Sequence, residues 1–174
     1  MMEIDALRMF DYLAVARGRL LGRVRDLHGV RPDAYTAAFP FGHGSIRATL
    51  VHVAAAEWAY VERLAGRDFP LSDSPFTAEA LPAFETFAAA WHNQAARTRA
   101  ALGALGDPHR PVEFISRVGP VPMRARAAAA EIVLHMVLHE VHHRAQVMVM
   151  LRYSGVPAEN LDYSFLAFTR TPLS

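Results

Sequence analysis

The segment spanning about residues 124–153 places the strongest constraint on the fold, because it is the longest and most apolar element predicted in the chain. Gly155 and Pro157 follow it, and a glycine with a proline beyond it is typical of a helix end. Charged residues and histidines interrupt the apolar run, which argues against a membrane span. We therefore expect a core helix at the centre of a helical bundle.

Four histidines lie within nine residues of this predicted helix, at positions 135, 139, 142 and 143. Residues four apart share one face of an α-helix and are about 6 Å apart along its axis. His135, His139 and His143 therefore form one stripe, whereas His142 points elsewhere. Two imidazoles one turn apart can bind one metal ion, but a catalytic site of this kind needs a third protein ligand from elsewhere.

Three further helices are predicted from apolar residues that recur with a period near 3.6. They cover about residues 4–27, 46–64 and 77–105, and Ser45 is a good N-cap for the second of them. His52 lies early in that second helix among alanines, which makes it the natural candidate for the third ligand. Residues 110–123 have a short β-like pattern, which predicts a two-stranded excursion or an extended crossover. Residues 160–170 suggest a short final helix or a docking tail.

The composition excludes several classes of function. Eighteen basic and seventeen acidic residues give a formal charge of +1, which argues against nucleic acid or an acidic membrane surface as a partner. The absence of cysteine excludes disulfides, thiolate zinc sites and a cysteine nucleophile. The N-terminus has no basic-then-apolar signal pattern, so we expect a cytoplasmic protein. A length of 174 residues is most simply one domain.

The sequence His139-Glu-Val-His142-His143-Arg144-Ala-Gln146 resembles the HxxHHRxQ signature of the DinB-like superfamily of metal-dependent proteins, seen also in bacillithiol and mycothiol transferases. The likeness extends over almost the whole chain. It includes an amphipathic first helix, a second helix that opens with a histidine and contains Ala-Ala-Glu-Trp, and an irregular piece before the fourth helix. Ala145 stands where the family pattern often has glycine, and both residues are small.

This resemblance implies a single all-α domain over residues 1–174. Its fold would be a four-helix bundle in the order up-down-down-up, with the short β-like excursion before the last long helix. The resemblance also implies one divalent metal ion held by His52, His139 and His143. Three neutral imidazoles bind most late first-row divalent ions, so Zn2+, Ni2+ and Fe2+ all remain open. An open coordination position would let the ion lower the pKa of a bound water or thiol.

Each of these histidines also has a purely structural interpretation. His139 and His143 could be polar residues at a solvated helix edge, and His52 could be a core histidine with one backbone partner. We interpret His135 as a supporting or packing residue, because three ligands already suffice. His142 lies off the stripe, so it is expected to orient the structure or to face a partner.

Other polar residues leave alternatives open. Glu57 and Glu140 could each accept a hydrogen bond from a ligand imidazole or lie at the surface, and the surface is expected for Glu140. Arg144 could hold an anionic substrate or form a salt bridge across the bundle. The other four histidines are expected to be solvated. These four are His28, His43, His92 and His109. His43 is the one for which this expectation is weakest, because it lies in a Gly-rich loop ahead of the second helix and could approach the metal.

The resemblance favours metal-dependent transfer of a low-molecular-weight thiol to an electrophilic small molecule, in detoxification or a stress response. Two alternatives remain. A metal-dependent hydrolase would use the same ion to activate water and would turn over without thiol. A non-catalytic, metal-stabilised binding protein would lose stability on chelation with no activity to lose. The apolar helices, and the family, also favour a homodimer. No catalytic residue beyond the metal ligands can be named from the sequence.

Overall fold

The chain folds mostly into helices, as a computed structural model of residues 5–117, 119–157 and 159–171 describes it. The helices are α1 (Ala6–Val30), α2 (Ile46–Leu64), α3 (Phe84–Gly103), α4 (Ala129–Tyr153) and the short α5 (Tyr163–Ala167). Two strands, β1 (Pro111–Ser116) and β2 (Met123–Ala128), form an antiparallel pair between α3 and α4. Short 3-10 helices cover Pro32–Tyr35 and Leu71–Asp73. The predicted mostly helical character is therefore confirmed, with one small sheet in the described part of the chain.

The apolar stripes of the four long helices meet in one core. Helix α2 packs against α3 and α4, and α1 also packs against α3 and α4. Burying one large apolar side chain stabilises a fold by roughly 1.5–3 kcal/mol, so these contacts dominate the stability of the protein. They also fix α2 against α4, the two helices that carry the candidate ligands. The largest side chains that are fully buried are Trp91, Phe84, Phe87, Leu13, Ile46, Leu50 and Met150.

Helix α2 begins and ends where the sequence predicts. Ser45 has an extended backbone, and its hydroxyl accepts a hydrogen bond from the Ala48 N–H at 3.0 Å, so it is the predicted N-cap. Helix α1 continues to Val30, beyond its predicted end at residue 27. The predicted start of that helix near residue 4 lies outside the described residues.

The predicted start of α3 is wrong. The helix begins at Phe84 and not near residue 77, because Thr77 forms a separate turn. The Thr77 hydroxyl accepts a hydrogen bond from the Ala80 N–H at 3.0 Å, and its carbonyl accepts one from the Leu81 N–H at 3.1 Å. Pro82 follows, and the residue before a proline is disfavoured in the helical conformation. The turn is therefore not continuous with α3.

The predicted start of α4 near residue 124 is also wrong. Residues 123–128 form β2, which pairs with β1 from Pro111↔Ala128 to Ser116↔Met123. A backbone group that bonds in this ladder is not available to a helix, so α4 begins only at Ala129. The predicted two-stranded excursion exists, but its second strand is displaced: β2 covers residues 123–128, and residues 119–122 lie in the turn between the strands, with residue 118 outside the described part. The predicted short final helix is α5.

A buried network of charges joins all four long helices. Arg17 of α1 donates hydrogen bonds to Glu57 of α2 at 2.7 Å and to Glu140 of α4 at 2.5 Å. From α3, the Trp91 indole N–H at 2.7 Å and the Thr98 hydroxyl at 2.5 Å also donate to Glu57. The Arg17 guanidinium lies 4.2 Å from the centre of the Trp91 ring, a distance typical of a cation–π contact.

The expectation that Glu140 lies at the surface is wrong. Its exposed fraction is 5%, and its partner Arg17 is also 5% exposed. Burial raises the pKa of Glu140, and the positive charge of Arg17 acts in the opposite direction. A carboxylate is tolerated at this depth because Arg17 pairs with it.

Candidate metal centre

Three predicted ligands meet where the first turns of α2 pack against the middle of α4. His52 comes from the second turn of α2, and His139 and His143 come from α4. The ring centres are 4.9 Å apart for His52 and His139, 4.8 Å for His52 and His143, and 4.5 Å for His139 and His143. The Nε2 atoms of His52 and His139 are 3.0 Å apart. The structure thus brings the three side chains together, while their role as ligands stays a prediction.

A fourth imidazole joins them from the loop ahead of α2. The ring of His43 stacks on that of His52, with ring centres 3.9 Å apart and planes 28° apart, and its centre is 5.1 Å from that of His143. His43, His52 and His143 each offer a ring nitrogen, and these three nitrogens lie within 4.8 Å of one another. The side chain remains exposed, but it belongs to the cluster and is not simply solvated. The sequence indicated this approach to the cluster only through the position of His43 in the Gly-rich loop ahead of α2.

The loop holds the backbone of His43 against α2 and α4. Gly42 has φ of +61°, a conformation that favours glycine. A Cβ atom on Gly42 would lie 3.0 Å from the Met150 methyl carbon, 3.2 Å from Gln146 Oε1 and 3.3 Å from Thr49 Oγ1. The N–H of His43 donates to the same Thr49 hydroxyl at 3.3 Å. The close approach therefore depends on glycine at position 42.

Gln146 fixes the protonation pattern of His143. Its amide oxygen accepts a hydrogen bond from His143 Nδ1 at 2.8 Å, and its amide nitrogen donates to His142 Nε2 at 3.1 Å. Since an amide oxygen can only accept, the proton of His143 lies on Nδ1 and the lone pair lies on Nε2. A polar group behind an imidazole ligand commonly orients the ring in this way. His142 thus helps to orient Gln146, in keeping with the structural role expected of it.

Burial lowers the pKa of all four clustered histidines. The pKa of His52 falls to about 4 and that of His139 to about 3, and neighbouring histidines add to both effects. Burial also lowers the pKa of His43 and His143, and for His143 the Gln146 hydrogen bond acts in the opposite direction. All four rings are therefore neutral near pH 7, which is the form that binds a metal ion.

The two acidic candidates do not contact the imidazole cluster. Glu57 and Glu140 are hydrogen-bonded to Arg17 inside the core. They therefore do not serve as acceptors behind the ligand rings. His135 is exposed and makes an edge contact with Tyr60, with ring centres 5.3 Å apart, which fits the packing role expected for it.

Arg144 is buried away from the cluster. Its guanidinium donates to the Tyr12 hydroxyl and lies 5.1 Å from the centre of the Tyr12 ring. The Tyr12 hydroxyl in turn donates to the carbonyl of Leu161 at 3.0 Å. Within the described residues Arg144 forms no salt bridge, so it ties α4 to α1 through a hydrogen bond. His92 and His109 are exposed as expected.

A comparison with models of protein families assigns the chain to a family. The model of the DinB family matches residues 2–172. The chain belongs to the DinB family. The DinB match spans both the helix that carries His52 and the helix that carries the HxxHHRxQ sequence, so all four clustered imidazoles fall within it. A search among curated proteins found no match. In the described residues, no helix is long and apolar enough to cross a bilayer.

The donor set of this DinB family member fits a divalent transition metal. An imidazole nitrogen lies about 2.0–2.1 Å from such an ion, which places two tetrahedral ligand nitrogens about 3.3 Å apart and their ring centres about 5 Å apart. The 3.0 Å separation of the His52 and His139 nitrogens and the ring separations of 4.5 to 4.9 Å are close to these values. The 3.9 Å between the centres of the His43 and His52 rings is shorter than the about 5 Å expected of two ligands, although their nitrogens and that of His143 lie within 4.8 Å of one another.

Proposed function

We propose that this DinB family protein holds one divalent transition metal ion through His52, His139 and His143, and uses it to transfer a low-molecular-weight thiol to an electrophilic small molecule. The observation that supports the site most directly is the ring geometry. All three ring centres are 4.5 to 4.9 Å apart, and the rings are neutral near pH 7 because burial lowers the pKa of each. The metal, Zn2+, Ni2+ or Fe2+, is not specified by three imidazoles.

The chemistry of the donor set favours activation of a bound nucleophile. A divalent ion lowers the pKa of a coordinated thiol or water, so that thiolate or hydroxide is available at neutral pH. Three neutral imidazoles add no negative charge, and the full charge of the ion therefore acts on the molecule bound to it. The chain has no cysteine, so a sulfur nucleophile must come from a small molecule. The exposed side of His43 gives such a molecule access to the cluster.

A hydrolase using the same ion is the alternative that this geometry supports less well. Hydrolysis gains from a general base beside the metal-bound water, and carboxylates commonly serve in that role. Glu57 and Glu140, the two acidic residues considered for the site, are buried and hydrogen-bonded to Arg17. The third candidate, a metal-stabilised binding protein without catalysis, has the same ligands and is separated from the others by activity alone.

The fold and assembly complete the proposal. We propose one domain with the DinB-like four-helix order up-down-down-up, which is supported by the packing of α1 and α2 against both α3 and α4. We also propose a homodimer, since the outer face of α4 exposes 40% of Leu134 and 57% of Leu138. Light scattering that gives a monomer mass at micromolar concentration would contradict the dimer. A cytoplasmic location is proposed from the sequence pattern alone.

The first experiment measures metal content by elemental mass spectrometry on untagged protein. The wild type is expected to carry about one equivalent of metal, which His52→Ala and His139→Ala should lose because three imidazoles form the site. His92→Ala removes an exposed histidine of α3 and is the matched control, expected to keep its metal. Metal retained by both ligand variants, or absent from the wild type after reconstitution, would contradict the site.

The second experiment tests the reaction on the metal-loaded protein. An electrophilic aromatic halide is supplied with and without a low-molecular-weight thiol, and ester hydrolysis is followed in parallel. Turnover that requires both thiol and metal supports transfer. Ester turnover without thiol would support the hydrolase, and bound metal with no turnover in either assay would support the binding protein.

A further inference from the structure

We propose that His43 is the residue that hydrogen-bonds to an anionic molecule bound at the open position of the metal, and that it is not itself a ligand. The inference rests on the proposed three-histidine site. It assigns to the loop ahead of α2 a part in selecting what binds: small molecules whose metal-bound atom accepts a hydrogen bond, such as a thiolate, hydroxide or azide.

The distances separate His43 from the three ligands. The centre of its ring lies 3.9 Å from that of the His52 ring, closer than the about 5 Å expected of two ligands of one ion. Its nitrogen nevertheless lies within 4.8 Å of ring nitrogens of His52 and His143. That reach lets the His43 nitrogen hydrogen-bond to a molecule held at the ion by the other rings, without itself taking a coordination position.

The stacking holds the ring of His43 beside the cluster. The ring lies nearly flat on the His52 ring, with 28° between the planes, and turning it away would break this contact. The backbone is also fixed, because its N–H donates to the Thr49 hydroxyl and the loop at Gly42 comes so close to Met150 that an added Cβ would lie 3.0 Å from the Met150 methyl carbon. The Phe39 N–H closes the loop by donating to the Gly44 carbonyl at 2.8 Å. The side chain can therefore meet an incoming molecule without first being ordered.

The chemistry of a neutral imidazole suits this contact. One ring nitrogen carries a proton and can donate it in a hydrogen bond to a metal-bound anion. His43 comes from the loop and is exposed, whereas His143 on α4 is buried. An approaching molecule thus contacts His43 from the solvent side. Loss of a hydrogen bond to a charged group weakens binding by about tenfold or more.

The test uses Co2+ as the metal and azide as the probe, both followed by visible absorption. Wild-type protein is compared with His43→Ala, His43→Phe and His43→Gln, with His92→Ala as control. Phenylalanine keeps a ring on His52 without the N–H, and glutamine restores a donor without the ring. We expect azide affinity to fall about tenfold in the Ala and Phe variants and to recover in part with Gln. Co2+ affinity should change by less than about tenfold, the smallest loss typical of a residue that supports a ligand.

Each contrary result has a distinct meaning. Azide affinity unchanged in both the Ala and Phe variants would overturn the proposal. A large loss of Co2+ affinity with tighter azide binding would identify His43 as a ligand and would also overturn it. A wild-type protein that binds no Co2+ would instead contradict the proposed three-histidine site itself. Thermal unfolding of each metal-free variant checks that the fold is kept.

Discussion

Arg17→Met is expected to destabilise the protein strongly, because it removes the positive centre of the buried network. Arg17 donates to Glu140 at 3.3 and 2.5 Å and to Glu57 at 2.7 Å. Without it, Glu57 keeps the hydrogen bonds from Trp91 and Thr98. Glu140 keeps neither of its hydrogen bonds described here, since both come from Arg17. The loss is therefore largest at Glu140, although the buried charge of Glu57 also loses its positive partner.

The size of the loss follows from the burial of this pair. Removing one partner of a buried ion pair costs about 3–5 kcal/mol, because the other charge is left uncompensated. In a protein of this size each kcal/mol lowers the unfolding temperature by about 2–4 °C, so the expected drop is about 6–20 °C. Replacing both partners with apolar residues is often neutral or stabilising. Arg17→Met with Glu140→Leu should therefore regain part of the lost stability, since Glu57 keeps its hydrogen bonds from Trp91 and Thr98 but no positive partner.

Urea unfolding of metal-free protein, followed by far-UV circular dichroism, measures both variants without any contribution from bound metal. Arg25→Met is the matched control, because Arg25 pairs with Glu85 at the exposed surface and its loss should leave the midpoint almost unchanged. The reasoning would be refuted if Arg17→Met shifted the midpoint no more than the control. It would be refuted equally if the double variant were no more stable than Arg17→Met alone.

Two further predictions concern single hydrogen-bonded residues. Gln146→Leu should lower metal affinity about 10- to 100-fold in calorimetric titration, because it removes the hydrogen-bond acceptor of His143. Gln146→Glu keeps an acceptor and is the control. Equal metal affinity of the wild type and the Leu variant would contradict this prediction. Hydrogen bonding from Arg67, with help from Arg97, lowers the pKa of Glu62. The stabilisation that the Glu62 carboxylate contributes is therefore present above its ordinary pKa near 4.5, and it is lost as the pH falls through the lower pKa of the folded protein. The difference in urea midpoint between wild type and Glu62→Gln should be constant above about pH 5 and shrink in acid; a constant difference down to about pH 3 would contradict it.

Features determined by neighbouring residues were predictable from the sequence. Helix α2 has its predicted bounds because Ser45 caps it locally and its apolar period is regular. The grouping of His139 with His143 follows from a spacing of four on one helix. The likeness to DinB proteins, confirmed by the family match over residues 2–172, indicated which residue of α2 would face them.

Features that depend on distant partners were not predictable in this way. Residues 123–128 look helical in isolation, but their pairing with β1 makes them a strand. Glu140 looks like a surface carboxylate until Arg17, 123 positions earlier, is seen beside it. His43 reaches the cluster only because Gly42 takes a left-handed conformation and lets the loop fold onto α2. Short-range patterns do not contain this information.

The alternation along α4 has a consequence for protein engineering. Each predicted ligand on this helix is followed by a buried charged residue, His139 by Glu140 and His143 by Arg144, and both charged residues bond to α1. Successive residues are turned by about 100° around a helix, so these bonds set the rotation at which the imidazoles face α2. Repacking α1 would thus disturb the orientation of the predicted ligands His139 and His143. Under the role proposed for His43, variation intended to change the bound molecule belongs at that position, with Gly42 kept because the close approach of the loop depends on it.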